Sequence, residues 1–204
     1  RTALAFVSLR SDGERSFMFY RHPSADMLWR PEDVDRQDAA GTRIFHHGSI
    51  SLIGEPSRSA TLAAIDYARG GGALISYDPN LRLALWSSEA AARTGILAAW
   101  PFADIIKVSE EELVFLTGET GLESAVRSLW TDRLRLLVVT RGPDGCAYFT
   151  REGNGSAPGF AVSPVDTTGA GDGFVAGLLS GLLDSTSIGR FRPCRKSSSA
   201  SIPA

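Results

Sequence analysis

Two rhythms of apolar and polar positions divide the chain. The opening segment holds two β-rich runs, Thr2–Leu9 (TALAFVSL) and Arg15–Arg21 (RSFMFYR), with the turn sequence Ser11-Asp12-Gly13 between them. Alternation puts Leu4, Phe6 and Ser8 on one face and Ala5, Val7 and Leu9 on the other. Both faces are mostly apolar, so the predicted hairpin packs against something on each side. From Arg43 onward, short apolar runs (RIFHHG, ALISYD, DIIKV, LRLLVVT) alternate with helical stretches at Glu55–Arg69, Ser88–Trp100, Ser109–Thr117 and Gly121–Asp132. Pro56 suits a first helical turn, and Gly70-Gly71-Gly72 ends that helix. Leu62, Ile65 and Ala68 or Arg69 give it one face to lay on a sheet. Ser109 and Glu112 form a capping box ahead of Leu113, Phe115 and Leu116. Such alternation predicts βαβ units with right-handed crossovers: an α/β fold, Rossmann-like, in three layers around a mostly parallel sheet. A further strand is predicted over Gly159–Val165, leading into a last helix. After Leu183 the periodicity stops. The segment from Asp184 to Ala204 has four basic residues and a run of three serines, and reads as a disordered or aberrant tail. The predicted organisation is a domain over 1–185, with a small β lid over about 1–30, and a tail over 186–204.

Composition narrows the class. With 204 residues and 43% hydrophobic content there is material for a proper core, which excludes collagen-like and disordered chains. A net charge of −2 argues against a nucleic-acid groove, and no apolar run is long enough for a membrane helix. Two cysteines, Cys146 and Cys194, make no disulfide framework, so an intracellular, cytoplasmic protein is expected.

In an open parallel sheet, ligands bind at the carboxyl ends of the strands. The stretch Pro164–Leu179 (PVDTTGAGDGFVAGLL) lies at one such end. Small residues opening a helix let backbone N–H groups converge on an anion, and the helix dipole adds positive potential there. A carboxylate, Asp172, beside such a site is unfavourable for phosphate binding alone. It makes sense as a base that takes the proton of a hydroxyl attacking a phosphoryl group. The bland alternative is a glycine-rich helix start whose aspartate caps it. A dinucleotide loop fails on spacing, since Phe174 stands where GxGxxG needs its last small residue, and no GxxxxGK[ST] occurs.

DTTGAGDGF, together with SYDPNLRLALW, IIKVSEEELVFLTG, LLVVTRGPDGCAYF and the opening TALAFVSLRSDGERSFMFYRHPSADMLW, resembles the PfkB (ribokinase-like) sugar kinases, and among them plant-type fructokinases. The resemblance runs from Arg1 to about Leu183. It implies a ribokinase-like fold and an ATP-dependent transferase that converts D-fructose to fructose 6-phosphate. By position, Asp172 matches the catalytic base and Gly169, Ala170 and Gly171 the anion hole. Thr140, Gly142, Gly145 and Thr168 match nucleotide-binding positions. Asp166, with Thr168, matches a monovalent-cation (K+) site, and Glu112 the glutamate that organises Mg2+ around the nucleotide phosphates. Ser109 stands where that motif usually has Asn, and Glu112 is equally well explained as a cap. Asp78, Asn80 and Arg82, with Arg21 and Asp26 at the base of the lid, are candidates for the sugar and phosphate side. Arg82 as a plain surface arginine stays open. His46, His47 and Gly48 end a strand; packing or a substrate-side contact is preferred over a metal. Against the family pattern the chain is expected to be incomplete. It lacks the first strands with their sugar-binding residues and the region that encloses adenine, so a poorly stable or inactive free chain is expected. The alternatives are another PfkB-type sugar or nucleoside kinase, or an inactive truncated product. The expected partners are the sugar and ATP, and the lid edge offers pairing to a second copy.

Overall fold

The computed structural model describes residues 1–9, 15–163 and 166–184, so the predicted Ser11–Gly13 turn and the 186–204 tail lie outside the described residues. Strands β1 (Leu4–Leu9) and β2 (Arg15–Tyr20) form an antiparallel hairpin with Leu4 opposite Tyr20 and Phe6 opposite Met18. A separate six-stranded sheet holds β3 (Ile44–Gly48), β4 (Leu74–Asp78), β5 (Ile105–Ser109), β6 (Leu136–Thr140), β7 (Cys146–Thr150) and β8 (Gly153–Ala157) in that spatial order. β3 to β6 run parallel, while β7 and β8 are added antiparallel. The helices are α1 (Arg36–Gly41), α2 (Ser57–Gly70), α3 (Glu89–Ala99), α4 (Glu110–Thr117), α5 (Leu122–Leu129) and α6 (Ala170–Asp184).

Strand periodicity sorts the helices into two layers. One sheet face presents Ile75, Tyr77, Ile106, Val108, Leu137 and Val139. These pack with Ile65 and Ala68 of α2, Ile96 of α3, Leu113 of α4 and Val126 of α5. Consecutive right-handed crossovers between adjacent parallel strands must put α2 to α5 on that same side. The other face presents Leu74, Ile105, Leu136 and Val138, and takes Phe174, Leu178, Leu179 and Leu182 of α6. The predicted three-layer arrangement is therefore present, with a separate β lid.

Two expectations are corrected. Residues 158–163 form no strand, and the last strand lies earlier, at Gly153–Ala157. Pro158 has no N–H to give a ladder, and Phe160 and Val162 beyond it are 90% and 75% exposed. The hairpin, expected to pack on both faces, is covered on neither in full: Phe17 and Phe19 of the inner face are half-buried, while Val7 beside them is exposed. Leu4, Phe6, Met18 and Tyr20 share the outer face and are between 54% and 61% exposed.

Helix α2 ends where α1 crosses it. A Cβ on Gly71 would stand 1.9 Å from the Ala40 carbonyl oxygen and 2.6 Å from its carbon, although the backbone there is ordinary, with φ −83°. Gly71→Ala is expected to destabilise the chain by at least about 2 kcal/mol, because backbone must move. Gly54→Ala, with nothing within 4 Å, is expected to be nearly neutral. Urea midpoints of the two variants check this.

Candidate active site

The first turn of α6 is built for an approach by backbone. Gly169 holds φ +79°, a conformation that favours glycine. Thr167 accepts from the Ala170 N–H, and Gly169 accepts from the Gly173 N–H at 2.8 Å. The N–H groups of Gly171 and Asp172 belong to the first turn and have no helical carbonyl behind them. Before it, the Thr168 N–H donates to Asp166 Oδ1 at 2.8 Å and shapes the entry to the helix. The Asp172 carboxylate stands over the same turn, with Oδ2 4.0 Å from where a Cβ on Gly169 would sit. Thr168, Gly169, Gly171 and Asp172 front a cleft of about 490 Å³, opposite Asn80 and Arg82, with Phe17 and Phe19 of the lid above it. Six sequence-predicted residues thus meet around one opening.

The loop after β4 is held by two carboxylates. Asp78, buried at the end of β4, accepts from Lys107 Nζ at 3.1 Å and from the Asn80 N–H at 3.1 Å. The second bond fixes Asn80 at φ 45°. Burial pushes the Asp78 carboxyl above the usual carboxylate range, and the Lys107 ammonium opposes that rise. Glu112 Oε1 accepts from the Leu81 N–H at 2.5 Å, while its Oε2 accepts from the Ser109 N–H at 2.9 Å. The Ser109 side chain returns a cap to the Glu112 N–H. Arg82, its guanidinium 5.5 Å from the centre of the Phe17 ring, joins this loop to the lid.

Other candidates stand elsewhere. Asp78 lies beneath the loop and supports it instead of lining the cleft. Thr140 bonds across to the Val108 carbonyl at 3.4 Å and, with Gly142 and Gly145, lies off the cleft. Arg21 is turned into an ion pair with Asp26, which also accepts from Ser24 Oγ at 2.5 Å. Arg21 borders a separate hollow on the outer side of the hairpin. Glu112, expected to organise Mg2+ around the nucleotide phosphates, lies under the loop after β4, and Asp166, expected at a monovalent-cation site, shapes the entry to α6. Both Glu112 oxygens already accept backbone N–H groups, and no group of three His, Cys, Asp or Glu side chains among the described residues could hold a metal ion.

The sequence reading passed over Lys107, Phe17 and Phe19. Lys107 had a signal, being a lone charge in the apolar run Ile105-Ile106-Lys107-Val108. The aromatics had none, because the hairpin's two faces look alike until the lid is placed.

Residues 1–191 match the profile of the pfkB family carbohydrate kinases. The chain belongs to that family. As a pfkB-family chain it is 59% identical over 180 residues to Fructokinase-2 of Zea mays, covering 88% of this chain and 54% of that protein. Its fold superposes on the Xylella fastidiosa fructokinase with bound ATP at a TM-score of 0.80 and 35% identity, over 92% of this chain and 58% of that one. The Vibrio cholerae O395 fructokinase, bound to fructose, ADP and calcium ion, gives 0.77 and 37% identity over 89% and 58%. The chain spans about half the length of the curated relatives it matches. Among the described residues no helix is long and apolar enough to cross a membrane.

The two histidines of β3 part company in this pfkB-family chain. His46 Nδ1 lies 3.0 Å from Ser76 Oγ, on the α6 side of the sheet. His47 is buried on the opposite side, stacked on Tyr77 with ring centres 4.6 Å apart, and its Nε2 has no hydrogen-bond partner among the described residues. Burial lowers the His47 pKa from 6.5 to about 4, against a weaker opposing contribution from the Gly48 carbonyl. The unfolded chain therefore takes up this proton first. Stability is whole above pH 6.5 and drains as pH falls toward 4, by roughly 3 kcal/mol from this group. His47→Phe, which keeps the stack, is expected to flatten the fall in urea midpoint between those pH values.

Proposed function

We propose that this chain carries the catalytic part of an ATP-dependent fructokinase, which transfers a phosphoryl group to D-fructose to give fructose 6-phosphate. The observation that carries the reading is Asp172, set in the first turn of α6 beside N–H groups that no helical carbonyl satisfies and facing a cleft bordered by Phe17 and Phe19 of the lid. A carboxylate there takes the proton of the sugar's primary hydroxyl as its oxygen bonds to the γ-phosphorus. The bond from that phosphorus to the bridging oxygen breaks, and ADP leaves with the electron pair. The Gly171 and Asp172 N–H groups and the helix dipole stabilise charge on the transferring group, while the Ala170 N–H is engaged by Thr167, and Arg82 faces the group from the opposite wall. The relatives' names and the ATP, ADP and fructose in their structures support the substrates. Magnesium in this reading arrives with ATP, its ligands being phosphate oxygens and water, and no step is assigned to it. Asp166 remains the candidate carboxylate for a monovalent cation, and a cytoplasmic chain is the reading that two cysteines without a disulfide framework support. A second copy of the chain covers the exposed outer face of the lid in this reading.

Asp172→Asn tests the base. In a chimera where these residues replace the matching stretch of the maize fructokinase, kcat for fructose is expected to fall about a thousandfold with nucleotide affinity kept. Retention of more than a tenth of the rate would overturn the assignment. For the lid, Phe6→Glu is expected to shift sedimentation toward the monomer. Unchanged sedimentation removes the second copy.

A further inference from the structure

Lys107 occupies a position where packing alone calls for an aliphatic residue. On that sheet face it stands beside Val138 of β6 and two residues beyond Ile105, with Asp78 of β4 on its other side, and it is 8% exposed. Burying an ammonium and a carboxylate strips water from both, and a well-packed apolar pair would stabilise such a site as well or better. The ion pair with Asp78 therefore explains how the lysine is tolerated, not why it is there.

Its other contact supplies the reason. A Cβ on Gly171 would lie 3.3 Å from Lys107 Nζ, and no other heavy atom of the described residues outside that turn lies within 4 Å of that position. The ammonium is thus pressed against the first turn of α6, between the Asp78 carboxylate and the backbone that fronts the cleft. Glycine at 171 leaves room for this approach, and a Cβ there would crowd the ammonium at 3.3 Å. The positive end of the helix and a buried full charge then act at the same place, and the low-dielectric surroundings leave that charge poorly screened.

Resting on the kinase reading above, we infer that Lys107 is a positioning residue for phosphoryl transfer: held by Asp78, its ammonium backs the Gly171 peptide and strengthens the hold of the α6 turn on the transferring phosphoryl group. Asp78 is its counter-charge, so the two residues have opposite effects on an anion. A purely structural ion pair has no such asymmetry, since loss of either partner would loosen the turn.

Titration of inorganic phosphate into the chain, followed by the amide resonances of Gly169 and Gly171, reads this directly. Lys107→Met is expected to weaken phosphate binding about tenfold or more, Lys107→Arg to restore most of it, and Asp78→Asn to leave it equal or tighter. Because Lys107→Met strands a buried carboxylate, the pair Asp78→Asn against Asp78→Asn/Lys107→Met repeats the comparison without that cost, and the same loss is expected. Equal affinity with and without the lysine overturns the inference, as does weakening by Lys107→Met and Asp78→Asn alike. Either result leaves the α6 turn as the phosphoryl site. A wild-type chain whose two glycine amides ignore phosphate removes that site, and the kinase reading with it.

Discussion

The position of α6 on the sheet governs everything at the cleft. Its later turns rest on aliphatic side chains of β4, β5 and β6 through Phe174, Leu178, Leu179 and Leu182. Burial of that apolar stripe sets the helix's height and direction. Its first turn consequently comes to lie over the carboxyl ends of the same strands, where the inward positions change character. The face that reads Leu74, Ile105 and Leu136 at one end reads Ser76, Asp78 and Lys107 at the other. One sheet face is therefore an anchor for half of its length and a site for the rest.

The second constraint is the loop between β4 and α3, which has no regular ladder of its own. Two carboxylates from below give it a shape: Asp78 takes the Asn80 N–H and Glu112 takes the Leu81 N–H. Arg82 emerges from a backbone fixed on both sides and reaches the lid through Phe17. The lid, the loop and the start of α6 thus form one opening, although among the described residues the hairpin and the main sheet share no strand pairing. Glu112 serves this geometry through the same capping pattern that made it ambiguous in the sequence. Its second oxygen does the ordinary work of a cap, and the first ties a neighbouring loop.

Most of the architecture was legible because the parallel strands are buried on both faces and appear as apolar runs separated by capped helices. The elements that escaped lack such marks. β8 reads Gly-Asn-Gly-Ser-Ala, with no branched or aromatic side chain, and exists by pairing with β7. The alternation through Phe160 and Val162 imitated a strand but belongs to exposed backbone after Pro158. α1 is six residues long and polar, held by an Asp35 cap and by α2. At the site, Asp172 and its glycines were legible because their spacing is local. The partners of Arg21, Asp78 and Glu112 were not, since for Asp78 and Glu112 they lie about thirty residues away, and for Arg21 the choice lay between facing the cleft and pairing with a near neighbour.

Two buried aspartates at opposite ends of the strands make the division of labour concrete. Asp104, just before β5, accepts the Ile75 N–H and the Arg133 guanidinium at 2.9 Å each, with Arg135 at 3.7 Å. Its carboxylate is surrounded by three donors from two segments, both belonging to the scaffold. Asp78, also buried, has one lysine and one loop N–H, and burial pushes its pKa up despite the lysine. A carboxylate meant only to brace strands is better served by the first arrangement, because each added donor offsets more of the cost of leaving water. The second arrangement leaves the charge of Lys107 partly unspent on its partner. In an open parallel sheet that end is where ligands are met, and there an incompletely neutralised cation has something to act on.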